Sequence, residues 1–419
     1  MGGKQHAPEG SPPLVAVILD AARPYDRLII GGIARYVREH EPWSLYVEED
    51  PLQRLPDLAR WRGQGIIANF DDRRVARALR NLGVPRVGVG GGYGWYDVDS
   101  GIPYVYTDNH VIGRLGAEHL LACGFEHLAF YGYPKTPTSG WSEERAIAFT
   151  QACAAAGREC RVFSGRHGTA RRWRELQREL TGWIAGLPKP VGLMACNDVR
   201  ARHVLEACRS LGLRVPIDVA VLGVDNDEMI CELTDPPLSS IDQSARRIGY
   251  EAAAMLARLM RRPPELVDGR VVVPPIGVIG RASTDTMATR EEAVVTVLVR
   301  LRDDPWRKPD VAALAAEACV SRSTLEQRFR AVVGRSIHEE FVRQRVVALR
   351  RLIAGTELPL KMIAVRARFP SVQYMTTFLQ RHTGLTPARL RAIERGAPVD
   401  ESAVAVPARP PRKERLSDD

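Results

Sequence analysis

Several apolar runs in this 419-residue chain end in side chains that could bond a hydroxylated ligand. Asp20 and the loop ARPYDR follow the first run, FDD (70–72) a later one and GVGGGYGWYD the next; beyond them lie YGYPKT, GWSEER, ACND (195–198) and GVDNDE from Gly223. Carboxylates, amides and arginine can each bond two neighbouring hydroxyls, and an aromatic ring packs on the C–H face of a pyranose. This inventory fits a monosaccharide better than a phosphate.

Motifs for other chemistry are missing. GVGGGYG (88–94) fails the GxGxxG dinucleotide pattern because Tyr93 stands where the third glycine belongs, and no Walker loop, HExxH or GxSxG occurs. The nine histidines are scattered without metal-ligand spacing and the seven cysteines form no CxxC pair. Neither a metal nor a disulfide framework is expected, and the thiols read mostly as core residues in a reducing compartment. A sugar-modifying enzyme would need a poised acid and base. Asp72 and Asp225 could mimic such a pair, but no activating motif accompanies them.

The loops belong to a regular frame. From Leu14 to about Gly280, β-rich apolar runs such as LVAVIL, GQGIIANF, HLAFYGY, VGLMACN and VAVLGVD alternate with helical stretches, the βαβ rhythm of a parallel sheet. The rhythm restarts at NHVIGRLGAEHLLACG, which predicts two similar α/β lobes in tandem, with a ligand cleft beyond the carboxyl ends of their strands. After Arg281 strands disappear, and from Glu291 amphipathic helices follow one another, broken at 303–309, Val320 and Gly334. Residues 1–13 and 397–419 lack periodicity and are expected to be disordered. No stretch approaches the ~18 apolar residues of a membrane span, and MGGKQHAPEGSPP holds no apolar signal core, so a cytoplasmic protein without a membrane partner is expected.

Positive charge concentrates in the helical part. Residues 285–396 hold twenty Lys and Arg against twelve Asp and Glu, nearly all the excess in a chain of net charge +9. An appended nucleic-acid-binding domain has this distribution. There, VAALAAEACVSRSTLEQRFRAVVG reads as a short helix, a turn near Cys319 and Val320, and a second helix capped by Ser321. PLKMIAVRARFPSVQYMTTFLQRHTG repeats the plan, with its turn at Phe369 and Pro370 and its cap at Ser371. The second helices are expected to bury Leu325, Phe329 and Val332 in one unit and Tyr374, Phe378 and Leu379 in the other, turning polar side chains outward near their starts. Between the units, SIHEEFVRQRVVALRRLI makes a helix of about eighteen residues, ~27 Å long, able to set two reading helices into successive major grooves.

The two units, with the final GLTPARLR, resemble the AraC-type DNA-binding domain over about residues 288–394, in a domain bounded at 288–396. That family usually has glycine before the aromatic of the second turn; here Arg368 stands there, where an αL position would be strained. By position, the resemblance makes Ser323, Glu326 and Gln327 of the first unit and Val372, Gln373, Thr376 and Thr377 of the second face bases of a double-stranded DNA operator. It sets Arg322, Arg328, Arg330 and Arg381 on phosphates.

Residues 14–283 resemble the periplasmic-binding-protein-like (type I) sensor of LacI/GalR regulators through WSEERAIAF, ACND and GVDND. Those regulators carry their helix-turn-helix at the amino terminus. Sensor first and AraC-type reader last is the order of XylR-type xylose operon regulators, which YDR, EED, NFDD, VGVGG, TDN, AFYG, RARH and VVPP also resemble. The implied architecture is a two-lobed α/β sensor followed by an all-α double helix-turn-helix domain. The implied function is that of a homodimeric, D-xylose-dependent activator of pentose-catabolism genes with RNA polymerase as a partner, no enzyme activity, no cofactor and no metal. The resemblance places Tyr25, Arg27, Asp72, Glu144, Arg145, Asn197, Asp198 and Asp225 around the monosaccharide, with Phe70 and Trp141 as stacking faces. It leaves the sugar's identity open at Asn197 and the loop 93–104.

Overall fold

The computed structural model describes residues 12–48, 61–79, 82–90, 102–136, 139–165, 173–261, 269–285, 289, 291–354, 356 and 358–394; residues 1–11, the loop positions 93–101 and the tail 397–419 lie outside the described residues. The chain divides into two compact units, Met1–Ala288 and Thr289–Asp419.

In the first unit the strands are β1 (Leu14–Ile18), β2 (Ser44–Val47), β3 (Gly65–Ala68), β4 (Arg86–Gly90), β5 (Tyr104–Thr107), β6 (His127–Tyr131), β7 (Cys160–Phe163), β8 (Val191–Ala195), β9 (Val219–Val224), β10 (Ser239–Asp242), β11 (Arg270–Val273) and β12 (Gly277–Ile279). They make two six-stranded sheets, ordered β11-β5-β4-β3-β1-β2 and β12-β10-β9-β8-β6-β7. Among the described residues every pairing is parallel except β10 with β12. β3, β8 and β9 are buried along their whole length, which is why they read as unbroken apolar runs. Helices α1 (Pro24–His40), α2 (Arg73–Leu79), α3 (Asn109–Ala122), α4 (Gly140–Ala155), α5 (Trp173–Ala185), α6 (Asp198–Ser210), α7 (Glu228–Leu233) and α8 (Ala245–Arg261) connect and cover them.

The expected tandem order of the lobes needs correcting. After β10 the chain returns to the first lobe, where Ile248, Ala252, Met255 and Leu256 of α8 join the core beneath Val15, Val17 and Ile29, and β11 pairs with β5. Only then does β12 close the second sheet. An amphipathic helix docks on whichever apolar face is still uncovered, and sequence order does not say which sheet offers it. The chain therefore passes between lobes three times, at Asp108, at 243–244 and at 274–276.

Among the described residues the second unit is all helical: α9 (Glu292–Asp303), α10 (Val311–Glu317), α11 (Arg322–Val333), α12 (Ile337–Ala354), α13 (Leu360–Arg366), α14 (Val372–Thr383) and α15 (Pro387–Glu394). Helix–turn–helix α10/α11 recurs as α13/α14. Ser321 and Ser371 accept the backbone N–H of Thr324 and Tyr374, each at 3.1 Å, and Gly334 and Gly384 close the two helices in the αL conformation at φ 76° and 73°. α12 has the eighteen residues expected of the connecting rod. The buried sets shift by one position: Val333 rather than Val332 is buried in α11, while in α14 Met375 takes the place of Tyr374, which is 58% exposed.

Candidate functional site

Arg145 is the centre of the polar cluster between the lobes. A Cβ on Gly113 would stand 2.4 Å from the Arg145 carbonyl oxygen, so only glycine lets α3 approach α4 this closely. That approach brings Asn109 Oδ1 to 2.8 Å from Arg145 Nε. The guanidinium also donates to the Cys196 carbonyl at 2.6 Å and to Gln243 Oε1 at 2.8 Å, and its carbon lies 4.9 Å from the Trp141 ring centre. Arg145 is only 4% exposed, and such a charge is tolerable because these acceptors and the ring surround it. Gln243, on one of the three crossings, donates in turn to Asp225 Oδ1.

Asp225 immediately follows β9 with φ 118°, and Asn226 comes next at φ 52°. Two consecutive non-glycine residues in this region store backbone strain, a feature that clusters at ligand sites. Burial pushes the Asp225 carboxyl up to about 7, although Arg145 and Gln243 pull it down and Asp227 and Asp26 push it further up. Burial likewise raises Asp26 to about 6 against the pull of Arg23.

From the first lobe come Tyr25, half-buried, whose hydroxyl donates to the Gly90 carbonyl at 3.4 Å, and Tyr104, whose hydroxyl lies 2.7 Å from Asp71 Oδ1. Burial raises the Tyr25 phenol, with the charges of Asp26, Arg145, Asp225 and Asp71 acting on it from both lobes. Tyr25, Trp141, Arg145 and Asp225 are thus gathered together, with Asn109, Asp71 and Gln243 added.

The remaining expected ligand residues have protein partners or packing of their own. Asp72 turns to the Arg74 guanidinium at 2.8 Å; burial opposes its charge, but Arg74 holds its pKa below the ordinary value, and it is Asp71 that faces inward. Asp198 is fully buried in the second lobe, accepting from Ser240 at 2.6 Å and from the Asp227 N–H at 2.9 Å, so its oxygens are engaged beneath β9 and β10. Asn197 caps α6 by accepting from Arg200 N. Phe70 is 2% exposed, packed with Ile18 and Tyr104 in the first core. Glu144 sits 3.5 Å from His110. Arg27 reaches across to Asp227 at 3.1 Å and so joins α1 to the other lobe. Among the described residues no group of three or more His, Cys, Asp or Glu is arranged to hold a metal ion, and no helix is long and apolar enough to cross a membrane.

In the second unit, Ser323, Gln327 and Arg330 line the exposed crest of α11, and Gln373, Thr377 and Arg381 that of α14. Ser323 and Gln327 occupy the positions of Gln373 and Thr377 in the repeat. Glu326 and Arg322 pair with each other at 3.0 Å, and Arg328 reaches Glu291 at 3.2 Å. Thr376 is half-buried, and Val372, also half-buried, packs on the core of Ile363, Met375 and Leu379. Tyr374 and Gln380 are exposed on the crest, where their residue types alone gave no reason to prefer them.

Family models match in the same order: a XylR N-terminal domain at residues 14–110, a periplasmic binding protein-like domain at 117–284 and a helix-turn-helix domain at 314–393. The xylose operon regulatory protein of Escherichia coli (strain K12) is 33% identical over 90% of this chain and 97% of its own length; that of Haemophilus influenzae is 30% identical over the same shares. A solved structure described as the xylose-binding transcription activator xylR is similar over 92% of this chain and 99% of its own, with a TM-score of 0.74 and 32% identity. With a two-lobed sensor, a repeated helix-turn-helix and similarity along nearly the whole chain, this protein belongs to the family of xylose operon regulatory proteins, DNA-binding transcription regulators that respond to sugar.

Proposed function

We propose that this protein is a cytoplasmic, homodimeric activator that binds D-xylose between its lobes and recruits RNA polymerase to pentose-catabolism genes. The observation that carries the sugar reading is the buried Arg145–Gln243–Asp225 chain, facing Asp71, Tyr25 and Tyr104. Neighbouring hydroxyls of a pentose can accept from Arg145 and donate to Asp225 and Asp71, while Trp141 offers a ring to the C–H face. A sugar bound to both lobes favours their closed arrangement through its differential affinity, and DNA binding is linked to the same equilibrium.

A thermal-shift panel of pentoses and hexoses tests this. A ligand that binds only the folded state at a hundred times its Kd adds about 2.7 kcal/mol of stability. D-xylose is expected to raise the melting temperature in proportion to the logarithm of its concentration, and Arg145→Met to abolish the rise. A larger shift from another monosaccharide would replace xylose as effector, and turnover of a labelled pentose would replace the regulator reading with an enzyme.

A further inference from the structure

Arg345 lies midway along α12, half-buried, and among the described residues no carboxylate pairs with it and its Nε has no hydrogen-bond partner. A cation so placed needs other compensation. Its guanidinium carbon is 3.9 Å from the ring centre of Phe369, 5.5 Å from Phe378 and 5.8 Å from Phe341. Nη2 points at the Ala367 and Arg368 carbonyls, at 3.3 and 3.4 Å. These are the carbonyls just past the end of α13, where the turn to α14 opens and helical partners run out, and Arg368 itself sits at φ 51°. A second tether holds the same turn, since Arg368 Nη1 is 3.2 Å from Asp304 Oδ2 just after α9.

The turn fixes where α14 begins, because Ser371 immediately after it caps that helix. We propose that Arg345 is a positioning residue for DNA recognition, locking the second turn to the connecting helix so that Gln373 and Thr377 meet the duplex at a fixed angle. Planarity is the requirement. A guanidinium can lie flat on Phe369 while its edge reaches two carbonyls, whereas an ammonium on a lysine stem cannot do both.

The inference rests on α14 being a base reader, and its test separates the two claims. Full-length protein selects a duplex from a randomised pool; transversions are then walked along it and binding is measured by fluorescence anisotropy for wild type, Gln373→Ala, Arg345→Lys and Arg345→Met. Gln373→Ala identifies the segment read by α14 as the one whose transversions cease to matter; if it changes no segment, the reading of α14 fails whatever Arg345 does. For both Arg345 variants, discrimination in that segment is expected to drop about tenfold while the segment read by α11 stays as in wild type. Unchanged discrimination in both segments overturns the proposal, and so does equal loss in both. If the variants melt well below wild type, Arg345 is a stability residue and the assignment falls as well.

Discussion

Asp71 and Asp72 adjoin on one loop, yet they meet different partners: the Tyr104 hydroxyl for Asp71, the Arg74 guanidinium for Asp72. Asp71→Asn is expected to weaken sugar binding by ~1–3 kcal/mol, the worth of a buried charge-assisted hydrogen bond, whereas Asp72→Asn should change it by less than ~0.5 kcal/mol because its ion pair is half-exposed. Calorimetric titration of both variants decides between them, and the reverse order would restore Asp72 to the site. The FDD motif offers two successive carboxylates, and which of them points inward depends on the local turn leaving β3. Asp198 poses a similar ambiguity: a carboxylate at the start of a helix after a strand can face the cleft or the sheet, and here Ser240 and the Asp227 N–H draw it under the sheet. Asp225 adds a dependence on pH. Its carboxyl, ordinarily near 3.8, is raised to about 7 by burial. Below the lower value both folded and unfolded chains hold the proton; between the two values only the unfolded chain releases it, so this group's contribution to stability declines as pH rises from about 4 to about 7. In thermal melts of sugar-free protein, the advantage of Asp225→Asn over wild type should grow from pH 5 to 7 and level off above. A pH-independent difference would mean that the carboxyl ionises at its ordinary value.

At the level of elements, the helix-turn-helix units were the most legible part because their boundaries rest on local chemistry. Serines at Ser321 and Ser371 start α11 and α14, and glycines at Gly334 and Gly384 stop them. The phase of each helix was harder to read, since α14 offers Tyr374 and Met375 side by side and only packing against Leu349 and Ile363 selects the methionine. Order among the lobes was harder still, for nothing local says that α8 returns to the first sheet. The turns themselves carry a testable cost. Cys319 and Arg368 hold φ near 54° and 51°, where a Cβ is disfavoured by ~1 kcal/mol. Arg368→Gly relieves that strain and gives up an exposed ion pair with Asp304 that is worth ~0.5 kcal/mol. Chemical denaturation of the full-length protein should therefore show the helical unit stabilised by about 0.5 kcal/mol. A net loss would show that the Asp304 tether matters more than the strain.

Across the whole sensor, the proposed closure depends on what spans the two lobes, and Arg27 is one such span. The family pattern put it beside the sugar, but its guanidinium bonds the Ala21 and Ala22 carbonyls and Asp227 Oδ2, which makes it a tie from α1 to the start of α7. Its side chain is 41% exposed and that of Asp227 is 9% exposed, so solvent screens the pair and its worth is no more than ~1 kcal/mol. A latch of that strength shifts the balance between open and closed lobes by about fivefold, and sugar affinity, which draws on the closed population, should weaken by the same factor. Arg27→Ala is thus expected to raise the Kd for D-xylose about fivefold in calorimetric titration, with the loss shrinking in high salt because screening has already weakened the latch in wild type. A loss beyond fiftyfold that persists at high salt would place Arg27 against the sugar itself, since removing a direct bond from a charged donor costs more than unfastening an exposed pair.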